Sequence, residues 1–253
     1  MKFETPFIEA RLIKRYKRFL ADVSLQDGST MTVHCPNTGK MTGCAEPGSR
    51  VWLSDSANPK RKYRYTWELV ETPTGLASIH SAKANKLVKE ALEQNRIIEL
   101  DGYAEIKPEQ PYGDRGSRVD FVLNGWASEA KQGVARPSCY VEVKAVTLDD
   151  NGMGYFPDTV SERGLKHLQD LADMAKAGQR AVLLFCVQHE GINEVRPAAH
   201  IDAKYAAGMD EAIAQGVEVL AYKVGISCEA EPSGGVKRPQ QIELKQQVPF
   251  SVG

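Results

Sequence analysis

Two short stretches constrain this chain more than any others, residues 117–123 (SRVDFVL) and 139–147 (CYVEVKAVT). In the first, Val119, Phe121 and Leu123 alternate with Arg118 and Asp120; in the second, Val141, Val143 and Ala145 alternate with Tyr140, Glu142 and Lys144. A period of two marks strands, and side chains two apart share a face. Glu142 and Lys144 therefore point the same way. If the strands pair and Asp120 looks toward that face, two carboxylates and an ammonium converge on one polar spot backed by an apolar core. Hard divalent cations such as Mg2+ take one or two carboxylates together with waters and substrate phosphates. A lysine beside them can polarise an attacking water or steady charge on a phosphoryl group, so the trio suits phosphodiester hydrolysis. A second reading stays open, because exposed strand edges also carry Glu and Lys simply for solubility.

The chain before residue 82 reads as strands and turns: extended segments from Phe7 to Leu25, a hairpin turn at Asp27 and Gly28, then strands at 31–35, 50–53, 63–70 and 76–80. So many short strands in so few residues suggest a small barrel of the oligonucleotide-binding type. Two segments interleave cations with aromatics: Lys14, Arg15, Tyr16, Lys17, Arg18 and Phe19, then Lys60, Arg61, Lys62, Tyr63, Arg64 and Tyr65. Such a surface can track phosphates and stack bases. The alternative is a solvated strand face whose aromatics belong to the barrel core, and periodicity assigns Phe19 to that core. Residues 37–39 (NTG) read as a structural turn, or as backbone amides offered to a phosphate.

From residue 82 the pattern changes. Residues 82–94 are helical, with Leu87, Val88, Ala91 and Leu92 at helix spacing and Glu90 on the flank. An extended stretch at 97–106 and the two strands already named follow, separated by a glycine-containing excursion at 124–138. The spacing predicts a helix over 159–177 with Leu165, Leu168, Leu171, Met174 and Ala175 buried; Glu162, Arg163, Lys166, His167 and Gln169 fall on its other side. Gly178 ends it, and residues 180–187 are too apolar for an edge strand. A helix near 202–215 and a strand near 217–224 complete an α/β sandwich. Residues 227–253 read as a tail with one late strand near 242–244.

The 253 residues carry a formal charge of -1, and 42% are hydrophobic, as in ordinary globular proteins. Residues 1–81 hold 12 Lys and Arg against 8 Asp and Glu, leaving 20 against 25 for the rest, so the front of the molecule is the better candidate for a polyanion. Five scattered cysteines with no Cys-x-x-Cys pair fit a reducing compartment, and His34, Cys35 and Cys44 lack a second ligand pair for zinc. No apolar run approaches a membrane span and no signal pattern opens the chain, so a cytoplasmic location is expected.

The order helix, three strands, helix, strand, with an acid on the second strand and Glu-x-Lys on the third, resembles the restriction-endonuclease-like core of the PD-(D/E)xK superfamily. Over the whole chain, residues 15–23 (RYKRFLADV), 34–41 (HCPNTGKM), 58–62 (NPKRK), 117–121 (SRVDF), 141–144 (VEVK) and 156–168 (FPDTVSERGLKHL) together resemble the sugar fermentation stimulation protein A family. The resemblance implies a mixed α/β chain: an oligonucleotide-binding-like barrel over 1–81, a nuclease-like sandwich over 82–226 and a tail over 227–253. It implies DNA binding of low sequence specificity and a regulatory role in sugar, particularly maltose, metabolism. It puts metal carboxylates at Asp120 and Glu142 and the lysine at Lys144; the Val143 carbonyl, between the last two, is read beside them as an extra metal ligand. Glu90 stands where some superfamily members carry an auxiliary acid, and Arg163, Lys166 and His167 match a basic helix motif. Residues 114–116, the 124–138 insert and the tail depart from the family pattern.

The expectation is therefore a protein that holds DNA non-specifically along Arg15, Lys17, Arg18, Arg61, Lys62, Arg64, Arg163, Lys166 and His167, over a Mg2+ or Mn2+ site. The alternative is a DNA-binding regulator that keeps a silent nuclease-like site.

Overall fold

A computed structural model describes residues 1–3, 5–113, 115–126, 136–229 and 238–252. Most of the 124–138 excursion and the start of the tail strand's approach lie outside the described residues. The first six strands are β1 (Ile8–Tyr16), β2 (Leu20–Ser24), β3 (Thr30–His34), β4 (Arg50–Asp55), β5 (Tyr65–Thr72) and β6 (Gly75–Ser78). They run in the order β3-β2-β1-β4-β5-β6, and a parallel contact of His34 with Thr66 joins β3 to β5 and closes five of them into a barrel. Closure removes the free sheet edges that would invite aggregation. Val23, Val33, Val51, Leu53 and Trp67 fill the interior with Cys35, Met41 and Cys44.

The hairpin between β1 and β2 corrects one expectation. Tyr16 pairs with Leu20 across a three-residue turn, in which Lys17 and Arg18 both take positive φ (51° and 65°). Phe19 is the third residue of that turn, so the alternation that assigned it to the core is broken there, and it is 47% exposed.

The remainder comprises α1 (Lys83–Glu93), β7 (Glu105–Tyr112), β8 (Ser117–Asn124), β9 (Cys139–Val146), β10 (Leu148–Asp150), β11 (Met153–Phe156), α2 (Glu162–Lys176), β12 (Arg180–Val187), β13 (Glu194–Pro197), α3 (Ala203–Ala214), β14 (Glu218–Glu229) and β15 (Arg238–Gln247). The main sheet runs β15-β14-β12-β9-β8-β7, parallel from β9 through β12 to β14 and antiparallel outside. Leu87, Val88 and Ala91 of α1 pack with Val141 and Val143 on one face. On the other, Leu168 and Leu171 of α2 pack with Tyr205 and Met209 of α3 against Leu183, Phe185 and Val187. Helices on both faces explain why β12 is a continuous apolar run.

Three details differ from the sequence reading. Part of the 97–106 stretch is a single 3-10 turn (Ile98–Leu100), and β7 starts only at Glu105. The late strand is ten residues long, because two register shifts against β14 interrupt its period of two and leave only its middle legible. A small third sheet joins β10 and β11, which carry the chain from β9 to α2, to β13, which precedes α3.

The barrel and the sandwich are joined by polar contacts. Glu68 on β5, 5% exposed, accepts hydrogen bonds from Ser54 at 2.7 Å on Oε1 and from Lys83 of α1 at 2.6 Å on Oε2, where His80 also lies at 3.0 Å. Asp158, just after β11, accepts from the backbone N–H groups of Lys40 at 2.9 Å and Met41 at 3.4 Å.

Candidate active site

The antiparallel pairing of β8 with β9 stops at Phe121 opposite Val141. One residue further Asp120 turns its carboxylate into the gap: Oδ2 accepts the Val143 backbone N–H at 2.7 Å, and Oδ1 accepts Asn85 Nδ2 at 2.6 Å from the first turn of α1. A strand residue projects its N–H and C=O to the same edge, so the Val143 carbonyl faces that gap as well. Glu142, on the other side of β9, faces α2. Its Oε1 accepts Lys144 Nζ at 2.6 Å and is also bonded to Nδ1 of His167. Its Oε2 is buried with no hydrogen-bond partner among the described residues.

A carboxylate oxygen buried without a donor is costly unless a cation or water completes it. Two further groups share the charge field of Glu142: the hydroxyls of Tyr112 at the end of β7 and Tyr205 on α3, both buried with no hydrogen-bond partner among the described residues. Burial raises both phenols, and the charge of Glu142 adds to it in each. The two carboxyls are pushed apart. Burial, reinforced by the charge of Glu142, holds Asp120 above its ordinary value despite the bonds from Val143 and Asn85. Burial acts in the same sense on Glu142, but the His167 hydrogen bond and the charge of Lys144 outweigh it and leave Glu142 below. Paired acids with opposed shifts are a mark of functional sites.

His167 corrects the sequence reading. It was expected on an exposed basic face, yet it is 5% exposed and bound to Glu142, because the polar face of β9 gives a polar residue on the inner side of α2 a partner. Arg163 Nε reaches His167 Nε2 at 3.4 Å, which assigns the ring proton to Nδ1 and makes a chain from Arg163 through His167 to Glu142 and Lys144. Lys166 instead donates to the Arg115 carbonyl at 2.7 Å. Glu90 is also corrected. Its Oε1 takes the N-terminal ammonium of Met1 at 2.7 Å, and the α1 residue that reaches Asp120 is Asn85, on a different face of that helix.

The basic clusters divide into structural and open members. The guanidinium of Arg15 donates to the carbonyls of Arg18, Asn37, Gly39 and Lys40, so it holds the 37–40 loop rather than standing clear of it. Arg64 is tied to Asp55 at 2.6 Å and Arg61 donates to Thr66 at 3.2 Å. Lys17, Arg18 and Lys62 are exposed, with no carboxylate partner among the described residues. The 37–39 segment is a structural turn: Asn37 Oδ1 accepts the Gly39 N–H at 2.8 Å, and the next two amides go to Asp158. Through Arg15 and Asp158, the Lys17–Arg18 hairpin tip connects to the segment that leads into α2 and Arg163.

Asn85, Tyr112 and Tyr205 were missed in the sequence. Asn85 carried a faint signal, a polar residue in the first turn of α1 (no such cue marks either tyrosine). Among the described residues no three of His, Cys, Asp and Glu gather as a ready metal cage, and no helix is long and apolar enough to cross a membrane.

The same two-part architecture recurs in known proteins. The family model described as "SfsA N-terminal OB domain" matches residues 13–79, and "Sugar fermentation stimulation protein RE domain" matches residues 82–230. A sugar fermentation stimulation protein homolog of Hahella chejuensis is 54% identical over 245 residues, covering 96% of this chain and 97% of that protein. One from Shewanella sp. (strain MR-7) is 53% identical over 253 residues and the full length of both. The structure of Pyrococcus furiosus SfsA in complex with Ca2+ superposes with a TM-score of 0.80 at 24% identity, covering 100% of this chain and 98% of that one. With these matches spanning both the barrel and the sandwich, the chain belongs to the sugar fermentation stimulation protein family.

Proposed function

We propose that this chain is a nucleic-acid-binding phosphodiesterase of low sequence specificity whose chemistry is centred on Asp120, Glu142 and Lys144. The observation that carries the reading is the unpartnered Oε2 of Glu142, buried where β8 parts from β9 and close enough to Asp120 for the two charges to act on each other. A module that only bound DNA would gain nothing from two carboxylates turned toward a polyanion, which repel phosphate unless a cation lies between them. The donor set fits Mg2+ or Mn2+: two carboxylates and a backbone carbonyl, all hard oxygen ligands. When bound, such an ion would supply Lewis-acid stabilisation of the phosphoryl charge and lower the pKa of the attacking water.

The protein's own groups divide the remaining work. Asn85 and the Val143 N–H fix the Asp120 carboxylate from two sides. Lys144, 14% exposed and held on Glu142 Oε1, presents an ammonium that orients the water or meets charge developing on the phosphoryl oxygens. His167 keeps Glu142 Oε1 engaged and thereby leaves Oε2 as the open oxygen. Arg163 and the hairpin-tip cations Lys17 and Arg18 offer phosphate contacts on the path to this site, which accounts for binding without base readout.

A second reading, a DNA-binding regulator of sugar metabolism with an idle site, draws support from the absence of a ready three-ligand cage among the described residues and from the tie between Lys144 and Glu142. Wild type and Glu142→Gln, incubated with labelled single- and double-stranded DNA in Mg2+, Mn2+ or EDTA, separate the two. Metal-dependent cleavage in wild type that the variant lacks is the expected result. Binding without cleavage under every metal would sink the catalytic reading and leave the regulator.

A further inference from the structure

The seam between the two domains contains a cavity of about 250 Å³ with mixed polar and apolar walls, one residue along β9 from Lys144. Its walls come from the 37–39 turn of the barrel, from Ser81 before α1, from Ala145 next to Lys144, from Tyr155 and Asp158 around β11, and from Gln188. All of these segments lead directly to site elements: Ser81 to Asn85, Ala145 to Lys144, and Asp158 to Arg163. The walls are built. Asn37 and Gln188 are both at least nine-tenths buried; among the described residues Gln188 Oε1 has no donor, and its Nε2 makes long contacts of 3.4 Å to Ser78 Oγ and the His80 carbonyl. The Tyr155 ring is braced edge-on by His200 at 4.9 Å, so it is a fixed surface rather than a loose side chain. Gly39 is required on this wall, because a Cβ there would collide with the Asp158 carboxylate.

We propose that this cavity receives one unstacked base of the bound strand. The Gln188 oxygen offers an acceptor and the Asn37 amide a donor, since the Asn37 oxygen already holds the Gly39 N–H; the pair suits the edge of a base, and an aromatic ring suits its face. The size lies just under the ~300 Å³ at which sites for drug-sized molecules begin, so one base fits and a stacked pair does not. Without a duplex groove to read, a nuclease of low specificity gains from such a cavity a fixed position of the strand rather than a sequence. The inference rests on the nucleic-acid reading above.

The test is photocross-linking. Single-stranded oligonucleotides carrying one 5-iodouracil at successive positions are bound to the full chain in EDTA, irradiated, and the linked peptides sequenced. Filter binding on the same samples reports affinity and its salt slope. One position is expected to link to Tyr155 or Phe156, and Thr38→Leu, which narrows the mouth from an exposed position, should reduce that link several-fold with affinity little changed. Gln188→Met, which removes the unpaired acceptor at nearly constant volume, should weaken it without filling space. Binding with cross-links confined to the barrel, or links to residues 155–156 unaffected by both variants, would overturn the cavity assignment alone. Absence of any binding would overturn the nucleic-acid reading and this one with it.

Discussion

Two buried glutamates, one at the domain seam and one in the cleft, are treated very differently by their surroundings. Glu68 has both oxygens engaged, by Ser54 on one and by His80 and Lys83 on the other. Burial alone would raise its pKa, yet the hydrogen bond from His80 and the charge of Lys83 bring it down to about 2. Glu142 has two cationic or polar neighbours crowded on one oxygen and, among the described residues, no hydrogen-bond partner on the other. A carboxylate finished on every side is a fastener. One left half-finished in a buried place is waiting for something that the folded chain does not itself supply, and this contrast separates structure from function better than burial or charge alone.

The largest effect that would break the comparison is on catalysis. Lys144→Ala should lower metal-dependent cleavage by on the order of 10²–10⁴-fold while leaving salt-dependent DNA binding near wild type, as expected for loss of a group acting on proton or charge transfer. Glu68→Gln should leave the cleavage rate per folded molecule unchanged; a comparable loss in both variants would erase the distinction drawn here. Stability should sort the pair the other way. Glu68→Ala strands Lys83 beside an emptied buried site and should cost about 3–5 kcal/mol in urea unfolding. Because the folded pKa of Glu68 is depressed, its contribution is present above the unfolded value of ~4.3 and is lost as pH falls toward 2, on the order of 3 kcal/mol in all. Wild type should therefore lose its advantage over Glu68→Gln across that acid range, which thermal melts at stepped pH would show.

The cleft should respond to added cation where the seam does not. Mg2+ or Mn2+ at about a hundredfold over its Kd should stabilise wild type by ~2.7 kcal/mol, and Asp120→Asn should abolish the gain. The same substitution sharpens the sign. The folded pKa of Asp120 is raised, so the stability linked to it is full below the unfolded value and is lost as pH rises through the folded one. In EDTA at neutral pH, Asp120→Asn should thus melt no lower than wild type, since Asn85 can turn its amide to meet the new side chain. The smallest effect belongs to the barrel. Reversing Lys17, Arg18 and Lys62 should flatten the salt dependence of duplex binding by ~0.9 per lost phosphate contact, whereas Arg15→Ala should chiefly lower stability, because its guanidinium fastens a loop.

How far the sequence carried the site depended on whether the relevant signal was local. The alternation in 117–123 and 139–147 located Asp120, Glu142 and Lys144 on neighbouring strands, since strand period is a property of consecutive residues. The role of Arg15 was invisible, because its partners are backbone carbonyls supplied by a loop some twenty residues away. His167 was misread for a related reason: helix spacing said which side of α2 it occupied only to within the width of the stripe, and a polar floor beneath that stripe made the inner position comfortable. Glu90 and Asn85 show the same limit, one helix offering two polar candidates whose difference is decided by tertiary neighbours alone. The barrel's closure through His34 and Thr66 likewise joins residues far apart in the chain, so strand count was legible while the closing contact was not.

Where β8 leaves β9, one rung of the sheet is made by a side chain, the Asp120 carboxylate on the Val143 amide. The rung is thus titratable and can be drawn away, unlike any backbone carbonyl in the ladder. Hydrogen exchange at the Val143 amide becomes a timer for the cleft: slow while the carboxylate is docked, faster when protonation or a competing ligand claims the oxygen. A single resonance deep in the central sheet would then report, without any added ligand, how often the edge at Asp120 lets go.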